Sequence, residues 1–343
     1  MKLYYLIAIL FLLTSCVKDK PQEPATSNVS INANSKVLIV NEGNYGWNNA
    51  SVSVYDASSG AIADDYYKQQ NNNQNLGDVC QSITKYNNHY YLVVNNSNKI
   101  IVTDASSFTK TATINGFNSP RYLLPVTYNK AYVSDLFANS VQVVDLNTNT
   151  ITGSIPCHGW TNEMALIYNK AFVTNLESNY CYVINTMTDA IIDSVNIGKG
   201  GSSIVIDKNS KVWILTSGNT TSAQNGKLVK INPVTMQIEA TQNFTTSDHP
   251  QELCINKTRD TLYYLNKGIC QFPITSVQLP STPLVNAGSK VYYGLDVNPK
   301  DYSIYVSDAI DYVQKSKIEV YDATGNLKTS FTAGIISNGF IFE

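Results

Sequence analysis

"AYVSDLFANSVQVVDLNTNTITGSI", Ala131–Ile155, decides the fold. It holds three short runs in which apolar and polar residues alternate, the period of a strand whose successive side chains face opposite ways. Between them stand "DLFAN" and "DLNTN", polar clusters that turn the chain. The second run ends at Asp145 before such a turn, and that arrangement recurs along the chain. "SVSVYDASSGAI" ends its run at Asp56, "KIIVTDASSFTKTATI" at Asp104 and "YCYVINTMTDAIIDSV" at Asn185. "KLVKINPVTMQIEA" does so at Asn232 and "KIEVYDATGNLKTSF" at Asp322, while "ICQFPITSVQL" has Pro273 in this place. Successive copies lie 40 to 49 residues apart.

Each copy has a strand upstream, such as "VLIV", "YYLVV", "AFVTN" or "IYVSD", and most have another before it, such as "QSITKY", "RYLLPV" or "YGLDVN". Four short strands in 40 to 50 residues make the blade of a propeller. The expected fold is therefore all-β: a seven-bladed β-propeller of four-stranded blades. The first unit lacks its own inner strand, and "NGFIFE" at Asn338–Glu343 can supply it. The ring would close by pairing the C-terminal strand with the N-terminal blade, which removes an open edge. One domain is expected over residues 36–343, with no helical stripe in it.

Charged residues are 15% of the chain and the formal net charge is -2. Nothing here resembles the clustered positive face of a nucleic-acid binder, so no nucleic acid is expected as partner. Residues 1–15 read as a leader, with Lys2 before the apolar run Leu3–Leu13, which is too short to span a membrane. "LTSC", Leu13–Cys16, resembles a bacterial lipobox, which implies a lipidated Cys16 and attachment to a membrane through that anchor. "VKDKPQEP" then reads as a flexible tether, residues 16–35 in all. Its Lys/Asp-bearing start resembles the surface-export signal of Bacteroidetes lipoproteins. The remaining cysteines, Cys80, Cys157, Cys181, Cys254 and Cys270, are odd in number. At least one is unpaired, and core thiols are the expectation.

Propeller geometry sorts the connections. Turns between inner and second strands, and between third and outer strands, share one face. They are short Asn/Asp/Gly/Ser turns such as "YNNH" and "DATGN". The other face receives "NEGNYGWNN", "DLFAN", "NLESNY", "CHGWTNE" and "DAIDYVQKS". Tyr45, Trp47, Phe137, Trp160, Tyr180, Tyr293 and Tyr312 all fall there, beside amides and hydroxyls. Long loops with aromatic anchors on a rigid scaffold are how binding faces are built.

No His pair has ligand spacing among His89, His158 and His249, no C-x-x-C occurs, and no metal site is assigned. No catalytic set is assigned either, since no G-x-S-x-G elbow is present. Asp78, Asp135, Asp308 and Asp311 could converge on the axis, as in calcium-dependent propeller lactonases, but Asp at a strand end is commonly a turn former. Arg121, in "SPRY", could grip an anionic group with its fork or serve in an interblade ion pair.

"AYVSD" and "AFVTN" resemble the YVTN-type propeller repeat. A larger set resembles the cobalamin-binding propeller lipoproteins of Bacteroidetes. It comprises "NEGN" (Asn41–Asn44), "LGDVCQS" (Leu76–Ser82), "VVNNS" (Val93–Ser97), "SPRY" (Ser119–Tyr122), "TRDTLYYLN" (Thr258–Asn266), "YYGLDVNP" (Tyr292–Pro299) and "YVSDAIDYVQ" (Tyr305–Gln314). The resemblance implies a lipid-anchored outer-membrane protein facing the exterior. It would bind cobalamin or a related corrinoid as ligand, not as catalytic cofactor, and pass it to a TonB-dependent outer-membrane transporter. It implies no enzyme. Carried onto this chain, it makes Asn41, Asn44, Asn95, Arg121, Tyr293, Asp311 and Tyr312 ligand-facing. Trp47, Tyr122, Phe137 and Trp160 join them from the loop face. Two other readings stay open: a propeller hydrolase or lactonase with a central metal, and a glycan- or protein-binding module of a nutrient-uptake system.

Overall fold

The computed structural model describes residues 32–343 apart from 220 and 222. The leader at 1–15, the lipidation of Cys16 and most of the expected tether lie outside the described residues. The tether's last residues are docked: Asn32 N donates to Asp56 at 3.0 Å, and Ser35 Oγ donates to the same carboxylate at 2.6 Å.

Seven four-stranded antiparallel sheets follow one another around an axis. A typical one is the third blade, with strands Pro120–Pro125, Lys130–Asp135, Ser140–Asp145 and Thr150–Pro156 from inside to outside. The opening stretch thus folds as its pattern predicts. The first blade takes Ser337–Phe342 as its inner strand, paired with Lys36–Asn41 in the register Leu38↔Ile341 and Ile39↔Phe340. The ring closes as expected, with the C-terminal strand paired to the first strand of the first blade.

The core lies between blades. Seven apolar clusters each draw on two neighbouring sheets. Second strands such as His89–Val94 are covered by a blade on either side, so "YYLVV" is buried throughout and reads as a continuous apolar run. Outer strands such as Ala190–Asn196 face solvent along most of their length.

Third-to-outer turns form because Asp and Asn side chains accept from the backbone two residues on. Asn147 N donates to Asp145 at 2.8 Å, and Asn149 takes the left-handed conformation that Asn tolerates. One feature departs from expectation. A five-residue α-helix, Tyr66–Gln70, sits in the link from the first to the second blade and buries Tyr67. Among the described residues no helix is long and apolar enough to cross a membrane.

Candidate functional site

Strand pairing builds the site. In each blade the register slips at the loop-bearing end of the inner strand: at Val40/Asn41, Cys80/Ser82, Pro120/Leu123, Thr161/Met164, Gly201/Ser203, Gln251/Cys254 and Tyr292/Leu295. A bulge sets extra residues against one partner and breaks alternation, so a side chain is re-aimed. Here consecutive residues such as Arg121 and Tyr122, Asn162 and Glu163, and Ser202 and Ser203 all line the axis. The freed backbone groups are met by hydroxyls on the second strand. Tyr122 N donates to Ser134 Oγ, Thr174 Oγ1 donates to Glu163 O, and Gly294 N donates to Ser307 Oγ. This accounts for the Ser or Thr in "YVSD", "FVTN" and "YVSD". The next residue ties the loops down: Asp135 accepts from Asn118 N, Ser119 N, Phe137 N and Ala138 N.

The result is a cavity of about 460 Å³ on the axis, open toward the long loops. Amides line much of it: Gln81, Asn95, Asn162, Gln251 and Asn338. Asn338 donates to Glu42 Oε1 and Gln81 O, while its own Oδ1 is buried and accepts nothing from the described residues. Gln81, Tyr122, Glu163, Glu252 and Asn338 form a waist, shared with a second chamber of about 380 Å³ that holds Asp296, Leu295 and Phe340.

The wall is unusual in its carboxyls. Burial pushes Glu163 up to about 8 and Asp296 up to about 7, and it raises Glu252 well above the usual carboxyl range. Glu42 is raised too by burial, although Tyr293 and Asn338 donate to it. Arg121 donates from Nε to Asn162 at 3.0 Å and from Nη1 to Gln81, and its guanidinium lies 6.0 Å from the centre of the Tyr122 ring. It is no interblade ion pair: its partners across blades are amides.

Aromatics ring the mouth. Tyr45 and Trp47 are the most exposed, at 77% and 73%. Phe137 and Trp160 meet edge to face with centroids 5.9 Å apart, and Tyr293 and Tyr312 do so at 5.8 Å. Asn44 donates to Tyr312 O at 2.6 Å, which braces the first blade's loop against the seventh's.

Of the residues expected at the site, Asn95, Arg121, Tyr122 and Tyr293 line the cavity. Trp47, Phe137, Trp160 and Tyr312 stand exposed on the surrounding loops. Two expectations are corrected. Asn41 is fully buried, donating to Ser51 and Ser53 and accepting from Gly334 N and Ser337 Oγ, so its amide is spent on closing the ring. Asp311 is exposed, and its carboxylate is turned onto Val313 N and Gln314 N of its own loop. The four aspartates weighed for a central metal do not converge. Asp78 and Asp308, like Asp135, accept from loop backbone. No group of three or more His, Cys, Asp or Glu among the described residues could hold a metal ion. The five cysteines among the described residues are free, four of them buried.

Sequence reading missed Glu42, Gln81, Asn162, Glu163, Gln251, Glu252 and Asn338. A signal was present. Aligning the heads of the inner strands puts Gln81, Arg121, Asn162, Ser202, Glu252, Tyr293 and Asn338 in one column, with no aliphatic residue in it.

Comparison with known proteins adds the fold's relatives. The family described as "Domain of unknown function (DUF5074)" matches residues 36–340. No curated protein matches. Among solved structures, a quinonprotein alcohol dehydrogenase-like protein from Bacteroides thetaiotaomicron is similar, with a TM-score of 0.70 and 15% identity over 90% of this chain and 78% of that one. A functionally unknown protein from Desulfotomaculum acetoxidans gives 0.68 and 10%, over 90% of this chain and 98% of that one. Dihydro-heme d1 dehydrogenase in complex with DHE gives 0.61 and 8%, over 93% and 78%. Identities this low carry the fold alone.

Proposed function

The chain belongs to the DUF5074 family, and for this member we propose capture of cobalamin or a related corrinoid at the mouth of the propeller. The observation that carries the proposal is the pairing of two surfaces. A ring of exposed aromatics surrounds an axial cavity lined by amides. A corrinoid is a broad disc with apolar faces and a fringe of amides. Tyr45, Trp47, Phe137, Trp160 and Tyr312 offer flat apolar area with little side-chain entropy to lose. Gln81, Asn95, Asn162, Gln251 and Asn338 offer donors and acceptors to the fringe, and the unfilled Asn338 Oδ1 suits a ligand N–H. A buried amide left unpaired by a wrong ligand costs about 1–3 kcal/mol, which gives selectivity.

In this reading the protein binds without performing chemistry. It sits on the outer membrane, anchored through Cys16 and facing the exterior, and hands the ligand to a TonB-dependent transporter. The lipobox-like "LTSC" supports the anchor. The carboxylates and His residues form no metal cluster among the described residues, which gives the lactonase reading no support.

The test is co-elution. The detergent-purified protein is mixed with a small excess of cyanocobalamin and passed over a sizing column. The reading expects the corrin absorbance to travel with the protein at one per chain. Corrin eluting wholly in the salt volume would overturn it.

A further inference from the structure

Among the described residues, Arg121 is the only cation lining the central cavity. It is one of two arginines in the sequence, and the other, Arg259, donates to Ile206 O outside that cavity. Asn162 of the fourth blade and Gln81 of the second hold its fork, and the Tyr122 ring lies beside it. A guanidinium has five N–H donors. Two are engaged by these amide oxygens, so the fork keeps free donors inside an open cavity. No carboxylate among the described residues forms an ion pair with it, although Glu42, Glu163 and Glu252 line the same space.

Those carboxyls are otherwise disposed. Glu42 accepts from Tyr293 and Asn338, and Glu163 accepts from Ile204 N. Burial raises Glu163 to about 8, so it holds a proton at neutral pH, and raises Glu252 well above the usual range. Asp296, in the chamber beyond the waist, is raised to about 7, and the Tyr122 and Tyr293 phenols are pushed up and stay neutral. A fixed guanidinium beside the protonated Glu163 carboxyl presents N–H and O–H donors to an oxyanion.

We propose that the floor of the mouth is an oxyanion subsite built on Arg121, which takes a phosphodiester group of the captured ligand and so sets which end of that ligand enters the channel. The identity of the ligand rests on the corrinoid reading; the anion chemistry stands on Arg121 and the cavity. Arg121 grips the phosphate through its free fork, and the amides at either side keep the fork from turning. Above pH 8 Glu163 ionises and repels the anion.

The experiment uses the detergent-purified full-length protein with three probes. These are cyanocobalamin, cobinamide (the same macrocycle without nucleotide or phosphate) and inorganic phosphate. Wild type is expected to prefer cyanocobalamin by ~30-fold or more, the range of a charge-assisted bidentate contact. Arg121→Gln should reduce that preference to below ~3-fold, with the larger loss falling on cyanocobalamin. Arg121→Lys, which keeps the charge and loses the fork, should fall between them. Cyanocobalamin binding should weaken about tenfold between pH 7 and 9, with cobinamide unaffected. Equal affinity for both corrinoids in wild type would overturn the subsite and leave capture intact. If neither corrinoid binds, the capture reading fails, and phosphate decides the subsite alone. Phosphorus resonance broadening by wild type and not by Arg121→Gln supports it, and equal spectra overturn it. Binding that strengthens above pH 8 would mark a cation site and overturn the proposal.

Discussion

The two ends of the ring push the same chemical group in opposite directions. At the back, Asp56, Asp104, Asp145, Asn185, Asn232 and Asp322 each accept from the N–H two residues on. Hydrogen bonds of this kind hold a carboxylate low at Asp104, which Ser106 and Ser107 bring down to about 2. At the mouth, Glu163 is pushed up to about 8 by burial, with one backbone N–H to offset it. Back-face turns consume their own polar groups. The mouth keeps Arg121 donors and Asn338 Oδ1 unspent and sinks acids into its wall. Ring closure needs none of that, and stability is lowered by it, so the difference locates where binding was built in.

The largest effect is expected where the mouth does a scaffold's work. Asn41→Ala strips four hydrogen bonds, two within the first blade and two across the seam to Gly334 and Ser337. It should cost about 3 kcal/mol of unfolding free energy, read by denaturant titration. A cost below ~0.5 kcal/mol would break the division between seam and site.

Next is ligand affinity at the rim. Trp47→Ala should weaken corrinoid binding about tenfold, roughly 1.4 kcal/mol, with the unfolding midpoint unchanged. A lowered midpoint with intact affinity would make this exposed ring a packing element.

The pH dependence sharpens the contrast. An acid raised in the folded state holds a proton there that the unfolded chain has released. Glu163 therefore lowers stability as pH climbs from about 4, the unfolded value, to about 8. Glu163→Gln should melt higher than wild type at pH 9 and about equally at pH 4. The smallest effect has the opposite sign. Asp104 is depressed, so its contribution is complete above about 4 and fades as pH falls toward about 2. Asp104→Asn should therefore melt slightly lower than wild type at pH 9 and about equally once pH falls to about 2, so its loss of melting temperature on acidification is narrower.

The blades were legible because each repeats the same alternation and ends at the same turn, from Asp56 to Asp322. The loop-bearing face was legible because "NEGNYGWNN" is far longer than a hairpin requires. The wall of the cavity was not. A bulge is a property of two paired strands, and nothing local in "TNEM" says that Asn162 and Glu163 both face the axis; Thr174 on the next strand, which donates to Glu163 O, settles it across the sheet. Asn41 misled for a related reason: its partners Gly334 and Ser337 lie at the far end of the chain. The helix Tyr66–Gln70 escaped because five residues make too short a stripe to read.

The central claim is that the mouth captures a corrinoid, and calorimetric titration of the full-length protein with cyanocobalamin tests it most directly. The account predicts a sharp one-to-one isotherm and a shifted corrin absorbance band. No heat and an unchanged spectrum at micromolar protein would contradict it, leaving the propeller standing with its ligand still to be found.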